Sequence, residues 1–332
     1  MTKKTRNNIM RGIGYLILAV GCLCVLLPLS WMVITSLKSM ADITLTKGIE
    51  LFPSGPTLEN FVNIWKDYPI ATYIKTSIIA VGGSTVFGVV CAALCGYGLS
   101  RYSFKGKAFI LSFLLVTQMF PAVMKIIPYY KILVSLHLNN TRVGLLIVYA
   151  SFSIPFCTWM MYGYFKSIPT GLDEAARVDG SSAFHTFLHI VLPLAVPGLV
   201  ATVIYAFLQN WNEYMFASVL MSDDTKKTIT YAISTMADAY RIQWNYLMCA
   251  AMISSVPTLA VFVAMQKYLI AGMTAGAVKE YPIMRRQLTH QPSHKSLAAH
   301  LASLNLCRLM GGRTFKATRG YTYEQQISQS DY

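Results

Sequence analysis

Six long apolar runs, separated by polar stretches, dominate the chain from its N-terminus to about residue 270. At a helical rise of about 1.5 Å per residue, a run of about 18 residues or more can cross a hydrocarbon core of about 30 Å. The pattern therefore predicts an all-α polytopic membrane protein with six transmembrane helices, which occupy residues 12–37, 73–99, 108–130, 143–165, 192–209 and 247–270.

The composition supports the same class. Residues of the AVILMFWYC set make up 55% of the 332 residues, and only 13% are charged. A soluble domain carries about 25% charged residues, so this balance excludes a soluble globular enzyme and a disordered chain. The first run is longer than the apolar core of a signal peptide, which has about 7–15 residues, and no clear cleavage site follows it. We therefore interpret it as a retained first span.

The third run contains polar and helix-breaking residues, since Lys125 lies between Pro121 and Pro128. A proline kink frees backbone carbonyl groups, which a membrane tolerates only against protein or a water-filled cavity. This run is therefore a candidate wall of a pathway, with Gln118 and Tyr129 as candidate pathway residues.

The charge pattern predicts the orientation. The 28 Lys and Arg against 14 Asp and Glu give a formal net charge of +14, which in a membrane protein marks cytoplasmic loops rather than nucleic-acid binding. Basic residues without acidic neighbours precede the first run and separate the second from the third, whereas the stretches 38–72 and 211–246 are mixed. We therefore predict that the N-terminus, residues 166–191 and, with six spans, the C-terminus are cytoplasmic.

The stretch between runs four and five predicts a helix, a break and a second helix. Thr170 followed by Asp173 suggests a capping box at the first helix, and Gly180 can take the left-handed geometry that ends it. Ser181 or Ser182 then caps the second helix, whose predicted apolar stripe includes Phe184, Leu188 and Val191. A helix with a face of small residues, held outside the membrane, is shaped to fit a groove of another protein.

This stretch carries a specific motif. Glu174-Ala175-Ala176, three residues, Gly180, nine residues, Ile190, one residue and Leu192-Pro193 match the EAA loop of ATP-binding cassette (ABC) importer permeases at every fixed position. Over about residues 11–279 the chain is most similar to the carbohydrate-uptake branch, and within it to the second permease of maltose-type importers. Further stretches that support the resemblance are Ile127–Tyr130, Ser153–Phe156, Phe207–Glu213 and Ala271–Lys279.

The resemblance implies a cytoplasmic helix-turn-helix loop that couples the spans to an ATPase. Its residues here are Glu174, Ala175, Ala176, Asp179, Gly180, Ile190, Leu192 and Pro193. The implied partners are a homologous second permease, an ABC ATPase dimer, an extracytoplasmic solute-binding protein and membrane lipid, without nucleic acid. The chain has no G-x-x-x-x-G-K-[ST] phosphate loop, so ATP and Mg are expected on the separate ATPase, and this chain needs no cofactor. It is expected in the plasma membrane as a multi-pass subunit.

A polar cluster lies where the fifth run ends. Asn210, Asn212 and Glu213 are costly at that depth if lipid faces them, so they should face a pathway or a partner. The alternative is an interfacial cap, in which Trp211 and Tyr214 belong to the aromatic belt. Hydrogen-bonding side chains beside aromatic faces suit sugars, although in maltose-type relatives the partner permease makes most sugar contacts. The candidate pathway or gate residues are Gln118, Tyr129, Asn210, Trp211, Asn212 and Glu213.

Other functions have less support from the residues. His185 and His189 have the spacing of two zinc ligands, but no third ligand accompanies them, so no metal site is predicted. The spans hold almost no ionisable residues, which argues against a catalytic site of an intramembrane enzyme. A permease for a solute other than a sugar and a channel remain alternatives, although a channel has no need of an EAA loop.

The predicted organisation has four parts. A cytoplasmic N-terminus (1–11) and a first helix with its external loop (12–72) precede the importer core (73–280). The polar, basic residues 281–332 form a tail whose composition favours disorder. The resemblance implies that the stretch 221–246 reaches into the binding protein, and the alternative is a solvated connector.

Overall fold

The computed structural model describes residues 3–45, 55–238 and 241–289, with side chains of the last helix to Tyr268. The chain divides into two units, 1–273 and 274–332, and the second is described only over residues 274–289, which are helical. The predicted tail therefore lies outside the described residues from position 290 onward.

Helices form nearly all of the described regular structure. In chain order they are α1 (Lys3–Ser36), α2 (Met40–Leu45), α3 (Glu59–Asp67), α4 (Ile70–Ser77), α5 (Gly83–Arg101), α6 (Lys107–Met119), α7 (Ala122–Ser135), α8 (Arg142–Ser167), α9 (Gly171–Val178), α10 (Ala183–Thr186), α11 (Leu192–Leu194), α12 (Val196–Trp211), α13 (Met215–Leu220), α14 (Ile229–Thr235) and α15 (Trp244–Thr289). Two π-helical turns, Ile78–Gly82 and Phe187–Val191, join α4 to α5 and α10 to α11, and Asp224–Lys226 is a 3₁₀ turn. Two-residue strands, β1 (Ala237–Asp238) and β2 (Arg241–Ile242), pair antiparallel.

The predicted apolar runs correspond to helices, but two of them are broken. Among the described residues, four stretches are long and apolar enough to cross a membrane: Asn8–Ser36, Ile70–Arg101, Arg142–Ser167 and Trp244–Tyr268. The third run is the pair α6 and α7, bent by 102°, and the fifth run (192–209) is mainly α12, which is bent by 81° from the preceding segment Ala183–Leu194. The described part of the chain thus has four to six candidate spans, depending on whether each bent pair counts as one.

Prolines mark both breaks. Pro121 precedes α7, and its extended backbone (ψ 136°) separates α7 from α6. At the second break Pro193 and Pro197 flank Ala195, which is fully buried. Proline cannot donate the backbone hydrogen bond that a continuous helix requires, so each break follows from the local sequence.

Small residues let α5 pack closely against α8. A Cβ atom on Gly88 would lie 3.1 Å from Ser153 Oγ, and one on Gly96 would lie 2.8 Å from Met161 Cβ. Ala92, one turn from each glycine, is fully buried. Close approach through small residues is the usual way in which helices associate in lipid. The α5–α8 pair therefore supplies the frame on which the polar sites described next are built.

Candidate functional site

The residues that carry the EAA motif, 171–194 (hereafter the EAA segment), form the helix, turn and second helix that the sequence predicts. Gly180 has a φ of +80°, the left-handed geometry that ends α9, because a glycine reaches it without the strain of a Cβ atom. The Ser182 hydroxyl caps α10 by accepting the His185 backbone N–H at 3.3 Å. Of the two predicted serine caps, the structure selects Ser182.

The predicted capping box at Thr170 is wrong. Thr170 has a helical backbone and its side chain makes no capping hydrogen bond. The Asp173 side chain, which should complete the box, turns instead toward α5. Its Oδ1 accepts a hydrogen bond from the Tyr97 hydroxyl at 2.7 Å, and its Oδ2 lies 2.9 Å from Arg101 Nε. A partner distant in sequence therefore outcompetes the local cap.

Tyr97, Arg101 and Asp173 (hereafter the tether) fasten α9 to the end of α5. The Arg101 and Asp173 side chains are only 4% and 8% exposed, so water screens this ion pair little. Arg101 Nη1 also donates to the carbonyl oxygens of Phe165 and Ile168, at 3.0 and 3.1 Å. The end of α5, the end of α8 and the start of α9 thus meet on one guanidinium group.

The tether is not saturated with hydrogen bonds. Arg101 Nη2 is buried without a hydrogen-bond partner in the described part of the chain, and the Nε–Oδ2 approach is close but not aligned as a hydrogen bond. Removing one partner of a buried pair leaves an uncompensated charge, which costs about 3–5 kcal/mol. Within the tether, Arg101 and Asp173 therefore each need the other to remain buried, unlike the partners of an exposed surface ion pair.

The outer face of the EAA segment is exposed and partly apolar. In α9, Asp173 and Ala176 are buried, whereas Glu174, Ala175 and Val178 are exposed, with Val178 at 87%. Beyond the turn, Asp179, Gly180 and Pro193 are exposed, and Ile190 and Leu192 are half-buried. The exposed residues of the motif therefore lie on the side of the EAA segment that the described part of the chain does not cover.

The predicted apolar stripe of the second helix is only partly correct. Val191 is fully buried, but Phe184 is 63% exposed. Phe187, the first residue of the π-helical turn, takes the buried position, where its ring packs 4.8 Å from that of Tyr97. Phe184 instead extends the exposed apolar surface of the EAA segment.

The two histidines of this segment contact each other. The rings of His185 and His189 stack with centroids 4.2 Å apart, and His185 Nδ1 lies 3.1 Å from Ser181 Oγ. Within the described part of the chain, no three His, Cys, Asp or Glu side chains come together as a metal site would require.

The break between α6 and α7 faces a cleft of about 790 Å³. Three of the predicted pathway residues, Gln118, Asn212 and Glu213, line it. Several of its other lining residues are not among the pathway residues predicted from the sequence. Two of them, Pro121 and Lys125, are the residues that make the third run irregular. The further polar and aromatic lining includes Lys125, Phe152, Tyr205, Gln209 and Tyr214.

The remaining predicted pathway residues lie elsewhere. Asn210 is buried and its amide donates to Ser84 Oγ at 3.0 Å. Trp211 is also buried, and its indole N–H donates to the Ser254 carbonyl at 3.2 Å. Tyr129 lines a neighbouring cleft of about 350 Å³, where its hydroxyl is 2.7 Å from Ser151 Oγ. The first two thus hold α12 against α5 and α15.

Glu213 has a defined structural contact as well as a place in the cleft. Both carboxylate oxygens accept the Phe216 backbone N–H, at 3.0 and 3.1 Å, and one also accepts the Ala217 N–H at 3.4 Å. These donors belong to the first turn of α13, where a negative charge also favours the helix dipole. Glu213 therefore caps α13 at the edge of the cleft.

The stretch between α13 and α15 packs onto the start of the second candidate span. Ile229 is fully buried, and its backbone N–H donates to Ser77 Oγ at 2.9 Å. Before it, hydrogen bonds from the Thr225 hydroxyl and backbone N–H hold the pKa of the Asp223 carboxyl below its usual range. Among the described residues of this stretch, Ser222, Asp224 and Thr225 form an exposed turn around Asp223, and Thr235 and Ala237 are also exposed.

The chain is similar in sequence to known permease proteins. The chain is 37% identical over 252 residues to the probable ABC transporter permease protein YurM of Bacillus subtilis, covering 76% of this chain and 83% of that protein. It is 33% identical over 282 residues to the trehalose/maltose transport system permease protein MalG of Thermococcus litoralis, covering 84% and 99% respectively.

Solved structures share the fold. A bacterial ABC transporter involved in the import of the acidic polysaccharide alginate contains a chain that superposes with a TM-score of 0.68 at 24% identity. The match covers 81% of this chain and 98% of that one. These similarities confirm the predicted resemblance to ABC importer permeases. The profile of the binding-protein-dependent transport system inner membrane component family matches residues 84–275, and the chain belongs to this family.

Proposed function

We propose that the chain is one permease subunit of an ATP-driven importer and forms half of a pathway for a carbohydrate that an extracytoplasmic binding protein delivers. Membership of the transport family makes it a transport subunit and not an enzyme. The carbohydrate assignment rests on relatives that carry sugar transport in their names, the trehalose/maltose permease among them. A cleft with amide and aromatic side chains suits such a solute.

The proposed coupling to the ATPase rests on the geometry of the EAA segment. It presents Val178, Glu174 and Phe184 to the outside while Asp173 binds it to Arg101. A groove of an ATPase would cover the exposed side chains, and the tether would pass its displacement to α5 and α8. ATP and Mg belong to that ATPase chain.

The proposed topology counts the bent pair α6 and α7 as one span, the third, and takes α12 as the fifth span. Six spans put both termini on one side, and the unopposed basic residues of the N-terminus make that side cytoplasmic. The EAA segment then lies in the cytoplasm between the fourth and fifth spans, and residues 212–243 lie outside. A homologous second permease completes the pathway, and the exposed turn around Asp223 is available to the binding protein.

Reconstitution tests the function as a whole. Proteoliposomes that contain this chain, its partner permease, ATPase and binding protein should accumulate a labelled oligosaccharide only when ATP is supplied on the EAA side. Uptake without ATP, or ATP-dependent uptake of non-sugar solutes alone, would contradict the proposal.

Docking of the EAA segment has a separate test with a matched control. Val178→Asp places a charge on the proposed contact, and Val62→Asp makes the same change on α3, where Val62 is 56% exposed. Because both sites are exposed, neither change should unfold the chain. Val178→Asp should lower co-purification of the ATPase about tenfold or more, as loss of a central contact does, whereas Val62→Asp should leave it unchanged. Equal ATPase recovery from both variants would contradict docking through α9.

A further inference from the structure

Lys125 is the cationic side chain of the larger cleft. It lies in the first turn of α7, just after the 102° bend, and it lines both the cleft of about 790 Å³ and the neighbouring one of about 350 Å³. Its Nζ atom is 4.9 Å from the centre of the Phe152 ring, so an aromatic face holds the ammonium group at the cleft wall.

No carboxylate of the described residues forms an ion pair with Lys125. The ion pairs found there join Arg101 to Asp173, Lys226 to Asp223 and Lys227 to Asp224. Glu213 is the one acidic residue that lines the larger cleft, and its oxygens accept backbone N–H groups of α13. Lys125 thus faces the cleft with its charge available.

The charge of Lys125, which has no ion-pair partner among the described residues, is unfavourable in a membrane-spanning stretch unless another group interacts with it. Ionisable groups within a membrane-spanning stretch are costly and are retained where they face a pathway or a ligand. The ammonium group of lysine is a compact charge with three donors, which suits a carboxylate, sulfonate or phosphate oxygen. Beside it the cleft has amide side chains at Gln118 and Asn212 and the ring of Tyr205, which suit hydroxyl groups and the apolar face of a sugar ring.

We propose that this cleft binds a saccharide that carries an anionic group, and that Lys125 contacts the anion. The inference rests on the proposed function and narrows its substrate class from carbohydrates to acidic ones. The cleft volume lies within the range of about 300–1,000 Å³ that is typical of small-molecule sites. Phe152 holds the cation, while the amide groups select the sugar.

Uptake of matched solutes by the reconstituted transporter tests the proposal. The solutes are one labelled neutral oligosaccharide and the same oligosaccharide ending in a uronate, a sulfonate or a phosphate. The variants are Lys125→Gln, Lys125→Arg and, as a control, Lys131→Gln, which removes an exposed charge of the same helix outside both clefts. All variants are assayed with the same binding protein, so a change in the solute ratio between variants reports the preference of the permease and not that of the binding protein.

The wild-type transporter should prefer at least one acidic form, and the form preferred identifies the anion. Lys125→Gln should lower the ratio of acidic to neutral uptake about tenfold, the effect expected from one lost charged hydrogen bond. Lys125→Arg should retain most of the preference, and Lys131→Gln all of it.

Two results overturn the inference alone. One is a wild-type transporter that moves only the neutral solute. The other is equal loss of both solutes in Lys125→Gln, which would indicate that Lys125 pairs with an acidic residue of the second permease. Failure to move any saccharide would instead overturn the proposed function, so the two failures are distinguishable.

Discussion

The tether and the larger cleft place charge inside the apolar part of the chain in opposite ways. In the tether, Arg101 and Asp173 are almost completely buried and neutralise each other at 2.9 Å. In the cleft, Lys125 is half-buried, contacts an aromatic ring and has no carboxylate partner in the described residues. The tether joins helices, whereas the cleft leaves the charge of Lys125 available to an anionic group that the described residues do not supply.

The difference teaches that burial decides how a membrane protein uses a charge. A fully buried charge must be paired within the protein, since leaving it alone costs several kcal/mol. A charge on an open cleft keeps part of its hydration and can exchange water for a ligand. Changes in the tether should therefore affect stability and every solute equally, whereas changes in the cleft should affect one class of solute.

The largest effect is expected from breaking the tether. Asp173→Ala leaves Arg101 buried and uncompensated, which should lower the free energy of unfolding by about 3–5 kcal/mol. Asp179→Ala, an exposed position of the same segment, should change it by less than about 0.5 kcal/mol. Denaturant unfolding of the purified chain in detergent, followed by tryptophan fluorescence, measures both. Similar free energies of unfolding in the two variants would show that the Arg101–Asp173 pair does not stabilise the chain.

The turn at Gly180 should come next. Gly180→Val forces a β-branched residue into a φ of +80°, at a cost of about 1–2 kcal/mol, and should abolish uptake while the chain stays in the membrane. Gly180→Asn should be milder, because asparagine tolerates left-handed geometry. Uptake and ATPase co-purification are measured together. Normal uptake by Gly180→Val would exclude a coupling role for the turn.

Glu213 sharpens the contrast within the cleft itself. Glu213→Ala removes the cap of α13 and should cost about 1 kcal/mol. Because it also removes a carboxylate from the cleft wall, the ratio of acidic to neutral solute uptake should not fall. The melting temperature of the complex and the two uptake rates are the measurements. A lower ratio would contradict a purely structural role for Glu213.

The smallest effect is expected from the C-terminal residues. Ending the chain after Lys279 removes the polar, basic stretch, and the described residues of the tether and of the larger cleft all precede it in sequence. Assembly with the ATPase and the initial uptake rate should therefore stay within about twofold of the full-length chain, a change of less than about 0.5 kcal/mol. Loss of uptake on truncation would place a functional contact in this stretch.

Sequence patterns were sufficient where a short-range rule applies. The apolar runs predicted helices, since 1.5 Å per residue fixes the length needed to cross a membrane. Gly180 and Ser182 acted as predicted, because turn geometry and helix capping depend on a few neighbouring residues. The two prolines of the third run predicted a kink there, and the structure places the break at Pro121, whereas Pro128 lies within α7.

Contacts between residues distant in sequence explain the predictions that were wrong. Thr170 does not cap α9, because Arg101, 72 positions before Asp173 in sequence, attracts the Asp173 carboxylate. Phe187 rather than Phe184 is buried, because the Phe187 ring packs against Tyr97 of α5 and Phe165 of α8. Asn210 and Trp211 were candidates for the pathway by composition, yet their hydrogen bonds to Ser84 and Ser254 fix them between helices.

By itself the sequence determined that this protein is a polytopic membrane subunit with an EAA segment, because hydropathy, charge and motif spacing are local properties of the chain. Only the tertiary structure decided which polar residues hold helices together and which remain open to a solute. That distinction depends on what lies opposite each side chain across helix packing, as Asp173 and Lys125 show. Burial and pairing arise from contacts between distant positions, and no local pattern specifies them.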